Sequence, residues 1–155
     1  MEINLRCNGL DNWLRKIGAL QGLERNPEVD KALGRGAARM QAQVKTLTPV
    51  KTLTPVDTGN LRNKIMLDHV QMMAWAIDTN VEYAVFVEFG TGKKGDPAVP
   101  HTSKDSWTYY SDELKRFITT HGQEPAHMFT EGFALTYKKA INIVEVEIRR
   151  LIRNA

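Results

Sequence analysis

Apolar positions in the last part of the chain recur at steps of three and four. Phe129, Phe133, Tyr137, Ala140, Ile141, Val144, Ile148, Leu151 and Ile152 share one side of a helix predicted over residues 128–153. At 1.5 Å per residue that helix would span roughly 40 Å. A domain of this size needs less, so one end is expected to project toward a neighbour. Glu145 and Arg149 have the spacing of a supporting i,i+4 pair. A second stripe of the same period runs through Val29, Leu33, Ala37, Met40, Val44 and Leu47, with Pro27 where a first turn tolerates it. Gly34 and Gly36 weaken this helix by roughly 1 kcal/mol each relative to Ala. Their placement predicts close packing, not a hinge. A further helix is expected to carry Leu10, Trp13, Leu14, Ile17 and Leu20 on one face, capped by Asn8 or Asp11 and ended by Gly22 and Asn26-Pro27.

Elsewhere the period is two. Residues 2–8 alternate as a short strand, and residues 64–70 and 74–79 read as two strands joined by Gln71-Met72-Met73. Residues 107–110 and 114–120 resemble a hairpin around Ser111-Asp112-Glu113. Residues 83–89 fit a strand, with Tyr83, Val85, Val87 and Phe89 on one face. They fit a helical turn equally well, with Tyr83, Phe86 and Val87 together. Residues 90–105 hold Gly92, Gly95, Pro97 and Pro100 with Lys93, Lys94 and Lys104, and read as a long mobile loop. The expected fold is α+β: a small antiparallel β-sheet packed against two or three helices, with a long C-terminal amphipathic helix. Residues 1–155 form a single domain with flexible loops at about 48–60 and 90–105.

Between helix and strands lies a duplication. Val44-Lys45-Thr46-Leu47-Thr48-Pro49 is repeated at once as Val50-Lys51-Thr52-Leu53-Thr54-Pro55. Two short copies do not make a solenoid. At about 100° per residue, six residues slip the helical phase, and the residue before each proline is pushed out of the helical region. The second copy therefore reads as extended loop, and deleting residues 50–55 should leave the fold intact.

Composition narrows the function. A chain of 155 residues with 42% hydrophobic and 25% charged residues is an ordinary globular protein. Cys7 is the only cysteine, so no intrachain disulfide forms; it reads as a small apolar filler, compatible with a reducing compartment. No window approaches the ~20 apolar residues of a membrane span. The first residues lack the basic and apolar regions of a signal peptide, so a cytosolic product is expected. The net charge of +3 is a weak basic bias. The densest cations, Arg149, Arg150 and Arg153, fall in the last turns of a helix, where they complement its dipole.

Catalytic patterns are sparse. Asp57-Thr58-Gly59 is the tripeptide of aspartic peptidases, which share a proton between two carboxylates. Here Asn60 follows it and Thr54-Pro55-Val56 precedes it, where those enzymes have a small residue and an apolar strand. A turn is the plainer reading. His69, His101, His121 and His127 lack zinc-ligand spacing and cysteine partners, so no metal is expected. Gly90-Thr91-Gly92-Lys93-Lys94-Gly95 lacks the phosphate-loop pattern. Trp107, Tyr109, Tyr110 and Phe117 could stack single-stranded nucleic acid; a core face with cross-strand pairs is the simpler account. Glu88 stands inside an apolar run, where charge is costly unless paired. Its partner could be Arg62 or Lys64 in the same subunit, or a cation across a subunit boundary.

Two segments carry a resemblance. Pro55-Val56-Asp57-Thr58-Gly59, then Leu61-Arg62, is followed about twenty residues on by Tyr83-Ala84, then Val87-Glu88-Phe89-Gly90-Thr91, and later by a proline-containing entry to the last helix. Together they resemble the neck or tail-completion (head–tail joining) proteins of long-tailed bacteriophages and prophages, and the order of elements is similar over most of the chain. The duplication is a departure. So is Pro125-Ala126-His127-Met128-Phe129, which puts the start of the last helix in doubt. The resemblance implies a virion structural protein with no enzymatic activity and no cofactor. It implies a ring of identical subunits, a hexamer being one count, between head-completion and tail-tube or tail-terminator proteins. Genomic DNA would pass without sequence-specific binding and no membrane would be involved. The site would be the head–tail junction, after assembly in the host cytoplasm. The interface residues implied are Asp57, Thr58, Gly59, Arg62, Tyr83, Glu88, Phe89, Gly90, Thr91, Lys93 and Lys94. The alternatives are a nucleic-acid-binding protein and, more remotely, an aspartic-type peptidase using Asp57.

Overall fold

The computed structural model describes residues 18, 21–49, 59–111 and 115–154. The strand expected at 2–8, the helix face from Leu10 to Leu20, and the second copy of the hexapeptide lie outside the described residues. After a 3-10 turn (Leu23–Arg25) come α1 (Pro27–Leu47), a single turn α2 (Asn60–Asn63), β1 (Ile65–Gln71) and β2 (Ala74–Thr79). Then follow the short α3 (Ala84–Phe89), a 3-10 turn (Gly92–Lys94), β3 (Trp107–Ser111), β4 (Arg116–Thr120) and the long α4 (Met128–Asn154).

α1 starts where its sequence says it should. The Asn26 carboxamide oxygen accepts from the N–H groups of Glu28 (2.9 Å) and Val29 (3.4 Å), and Pro27 occupies the first turn. It stops at Thr48, whose extended ψ of 121° is what a residue before proline prefers. There the Thr48 hydroxyl and N–H both donate to the Val44 carbonyl.

α1 and α4 pack antiparallel, through glycines. A Cβ on Gly36 would sit 3.2 Å from the Ala140 carbonyl oxygen, and one on Gly132 would sit 2.8 Å from Val44 Cγ2. Gly34 accommodates a different neighbour: its missing Cβ would lie 2.7 Å from the Trp75 indole. The expected close packing is present at both glycines of α1, against two separate partners. The helix pair is pinned at one end by Glu147, whose carboxylate meets Arg150 one turn on and Arg35 of α1 at 3.6 Å. Arg150 also reaches Glu28 at 3.9 Å. Among the described residues no ion pair joins Glu145 to Arg149, the pair expected from spacing.

The strands form two separate two-stranded antiparallel sheets, β1–β2 and β3–β4. In the first, Ile65 pairs with Thr79 and His69 with Trp75, and Met73 closes the turn at φ 64°. This hairpin lies on α1. The Gln41 side chain donates to the Ile65 carbonyl (2.9 Å), and Asp30 gathers three groups: the Met73 N–H (2.8 Å), the Trp75 indole N–H (3.2 Å) and His69 Nε2 (3.0 Å). In the second hairpin Tyr110 pairs with Phe117 in an edge-to-face contact of 5.2 Å. The cross-strand pairing is as expected, but the face is not core: Phe117 is 74% exposed. Trp107 and Tyr109 alternate to the other, half-buried side.

The core joins Val44, Leu61, Ile65, Val81, Ala84, Val87 and Met128. It takes one or two residues from each of α1, α2, β1, α3 and α4, with Val81 from the segment after β2.

Candidate functional site

The two motifs converge on that core. Gly59 adopts φ 78°, a left-handed conformation that glycine tolerates, and so turns the chain into α2. Leu61 is then fully buried while Arg62 is exposed. From the second motif Ala84 and Val87 enter the same cluster, and the Asn60 side-chain amide stands 3.5 Å from the Tyr83 hydroxyl. Asp57 and Thr58 lie outside the described residues. The segment from Tyr83 to Phe89 resolves as helix, because the Val87 N–H bonds back to the Tyr83 carbonyl.

Glu88 is the centre of the arrangement. It is 5% exposed, and both carboxylate oxygens are used. Oε2 accepts from the Phe129 N–H (2.9 Å); Oε1 accepts from the Thr130 N–H (2.9 Å) and the Thr130 hydroxyl (2.7 Å). The first intrahelical bond of α4 runs from the Glu131 N–H to the His127 carbonyl, which makes His127 the cap residue. A cap side chain normally satisfies the N–H groups two and three positions on. Here those are Phe129 and Thr130, and Glu88 serves them from another element. Its charge also lies at the positive end of the α4 dipole. Of the two partners considered, neither Arg62 nor Lys64 pairs with Glu88 among the described residues; the helix terminus takes the place of a cation within the subunit. The signal available in the sequence was a long helix whose start, Ala126-His127, offers no Ser, Thr, Asp or Asn.

The residues around Glu88 complete a clasp. The Val87 carbonyl accepts from the Ala126 N–H (2.9 Å), the Glu88 carbonyl from the His127 N–H (3.0 Å), and the Phe89 carbonyl from the Asp96 N–H (2.7 Å). Thr91 and Gln123 exchange both backbone bonds, at 2.8 and 3.1 Å. Gly90, at φ 71°, lets the two segments touch: a Cβ there would fall 2.5 Å from the Gln123 carbonyl oxygen. Five consecutive residues, Val87 to Thr91, thus tie α3 to the 90–105 loop, to the exit of β4 and to the start of α4. Lys93 extends from the following turn to Asp105 at 2.6 Å, and Lys94 is exposed.

The Asp30 cluster escaped the sequence reading. An acidic residue in a first helical turn normally reads as a dipole complement. Asp30 is buried and its carboxyl is shifted both ways. Burial pushes it up; hydrogen bonds from Met73 and Trp75, with His69 beside it, outweigh burial and hold it below the usual range. Among the described residues, no group of three or more His, Cys, Asp or Glu side chains is arranged to hold a metal ion.

A family model described as "Bacteriophage HK97-gp10, putative tail-component" matches residues 13–90. The chain belongs to the HK97-gp10-like family. The match spans half of the 155 residues and contains the first motif and the second as far as Gly90. The HK97-gp10-like portion therefore includes α1, the first hairpin and α3, while the second hairpin and α4 follow it. No curated protein and no solved structure matches the chain. Among the described residues no helix is long and apolar enough to cross a membrane.

Proposed function

We propose that this chain is a non-enzymatic virion protein that helps join the phage head to the tail. It would act as a homo-oligomeric ring around the DNA channel, between head-completion and tail-tube or tail-terminator proteins, with residues 1–155 forming one domain. The observation that carries this reading is the tail-component family match over the two motifs, whose described residues serve architecture. Leu61 and Val87 fill the core, and Glu88 caps α4. A clasp of this kind fixes α3 and the 90–105 loop relative to the long helix, so that surfaces offered to neighbours keep a defined geometry. Gly59, Arg62, Tyr83, Lys93 and Lys94 are assigned to the contact with neighbouring subunits or rings.

The test is genetic and structural. A phage lacking the gene should accumulate unjoined heads and tails, seen by negative-stain microscopy, and complementation should restore infectious particles. Normal yields of joined particles without the protein would refute the assignment. Microscopy of the concentrated protein should show closed rings.

A further inference from the structure

Two surfaces carry charge that meets no counter-ion among the described residues, and their signs are opposite. The first is the outer face of the β1–β2 hairpin. Ile65, Leu67 and His69 alternate toward α1, so Met66 and Asp68 turn away from it, and Val70 stands at the bulge between His69 and Gln71. The register sets Asp78 opposite Met66, which places Asp68 and Asp78 diagonally on one face. Val70 is 65% exposed. Among the described residues neither aspartate has a cationic partner.

The second surface is an open cleft of about 420 Å³ between α1 and α4, lined by Arg39, Ala42, Gln43, Leu135 and Lys139 among others. Leu135 is 60% exposed. Among the described residues Arg39 and Lys139 have no carboxylate partner. Farther along the same helix pair, by contrast, Lys31, Arg35 and Arg150 each pair with Glu28 or Glu147.

The two surfaces face opposite ways. At about 100° per residue, Asp30, Gly34 and Gln41, which touch the hairpin, fall within about 40° of one another around α1. Arg39, Gln43 and Thr46, which line the cleft, centre roughly 160° away. Head-to-tail assembly needs two different, complementary patches pointing away from each other on one chain.

We propose that the outer face of the β1–β2 hairpin of one copy docks into the α1–α4 cleft of the next. Asp68 and Asp78 meet Arg39 and Lys139, while Met66 and Val70 cover Leu135 and Ala42. The proposal rests on the ring reading and specifies which faces build it. Nucleic acid is the poorer occupant of the cleft: two cations are far fewer than a phosphate-tracking stripe uses, and an exposed leucine gains nothing from a phosphodiester.

Sedimentation velocity and native mass spectrometry on the full chain test this, with circular dichroism confirming that each variant folds. The wild-type protein should self-associate, less so as salt screens the charges. Asp68→Lys with Asp78→Lys, and Arg39→Glu with Lys139→Glu, should each weaken association by at least about tenfold, since like charges then face each other. Mixing the two variants should restore it, because alternating copies present opposite charges at every contact. Combining all four substitutions in one chain should restore it too. Rings that persist unchanged in both variants, or folded variants that fail to recover on mixing, overturn this docking and leave the ring reading standing. So does loss of duplex DNA binding in the Arg39→Glu, Lys139→Glu variant with self-association unchanged. A wild-type protein that stays monomeric at about 1 mM, far above a useful dissociation constant, overturns the docking, whereas the ring reading falls only with normal joined particles in a phage lacking the gene.

Discussion

Replacing Glu88 by Ala removes three hydrogen bonds at one helix end: two from the N–H groups of Phe129 and Thr130 and one from the Thr130 hydroxyl. Loss of a helix cap alone costs about 0.5–2 kcal/mol. A partly buried charge on a helix dipole adds up to about 2 kcal/mol. The one methylene lost, Cγ of a 5%-exposed side chain, contributes about 0.8 kcal/mol. Against these stands the relief of desolvating a carboxylate, which makes the sum an upper bound. The expected net loss is about 2–3 kcal/mol, a large share of the ~5–15 kcal/mol that holds a domain together. Glu88→Gln keeps the shape and one acceptor but turns an N–H toward another N–H, and should lose about 1–2 kcal/mol.

Urea unfolding followed by circular dichroism reads these values; with a slope of about 1–3 kcal/mol per molar, Glu88→Ala should lower the midpoint by about 1–2 M. A double-mutant cycle with Thr130→Val tests the contact itself, and the pair should couple by more than about 0.5 kcal/mol. Arg62→Ala, on the exposed surface, should stay within about 0.5 kcal/mol of wild type. The reasoning fails if Glu88→Ala costs less than about 0.5 kcal/mol, or if Arg62→Ala costs as much as Glu88→Ala.

Gly90→Ala meets both a φ of 71° and a carbonyl oxygen 2.5 Å from the new Cβ, so it should destabilise by more than about 2 kcal/mol, measurable by thermal melting; a neutral result would remove the close approach from the account. Gly132→Ala should lose about 1–2 kcal/mol in urea unfolding, because crowding the Val44 backbone outweighs the roughly 1 kcal/mol that alanine gains in a helix; a stabilised variant would show that α1 and α4 have room to separate. Asp30 is held below its usual range, so its contribution is fully present above the ordinary aspartate value of about 4 and is lost as pH falls through the lower folded-state value. Asp30→Asn should therefore lower the melting temperature more at pH 7 than at pH 3, and an equal effect at both would contradict the hydrogen-bonded carboxylate.

What could be read from the sequence was whatever repeats with a period or is punctuated locally. α1 and α4 show their stripes over more than twenty residues, and Asn26-Pro27 marks a start that the structure uses in full. The β1–β2 turn fell where expected, although Met73 takes a positive φ without the usual Asn or Gly. Residues 83–89 stayed ambiguous because seven residues sample barely two helical turns. The second hairpin shows why an aromatic alternation does not name its own buried side. Tyr110 and Phe117 have the spacing of a core face and lie on the exposed one, and only the course of the connecting chain decides between them.

Glu88 escaped for a related reason. Its partners are N–H groups some forty residues away, and backbone donors leave no mark in a sequence. A search for a cation was bound to nominate Arg62 or Lys64. Counting donors instead of charges reaches the right answer: α4 begins without a local cap, its first N–H groups need acceptors, and a buried carboxylate nearby needs donors. The same count explains why Gly90 and Thr91 follow Glu88. Once the carboxylate reaches the start of α4, the chain leading into that helix must pass within hydrogen-bonding distance. Gly90, two positions on, must then lack a side chain, and Thr91 after it must pair through its backbone. Read this way, Glu88-Phe89-Gly90-Thr91 is one structural joint, and its place in the motif follows from geometry before any partner is considered.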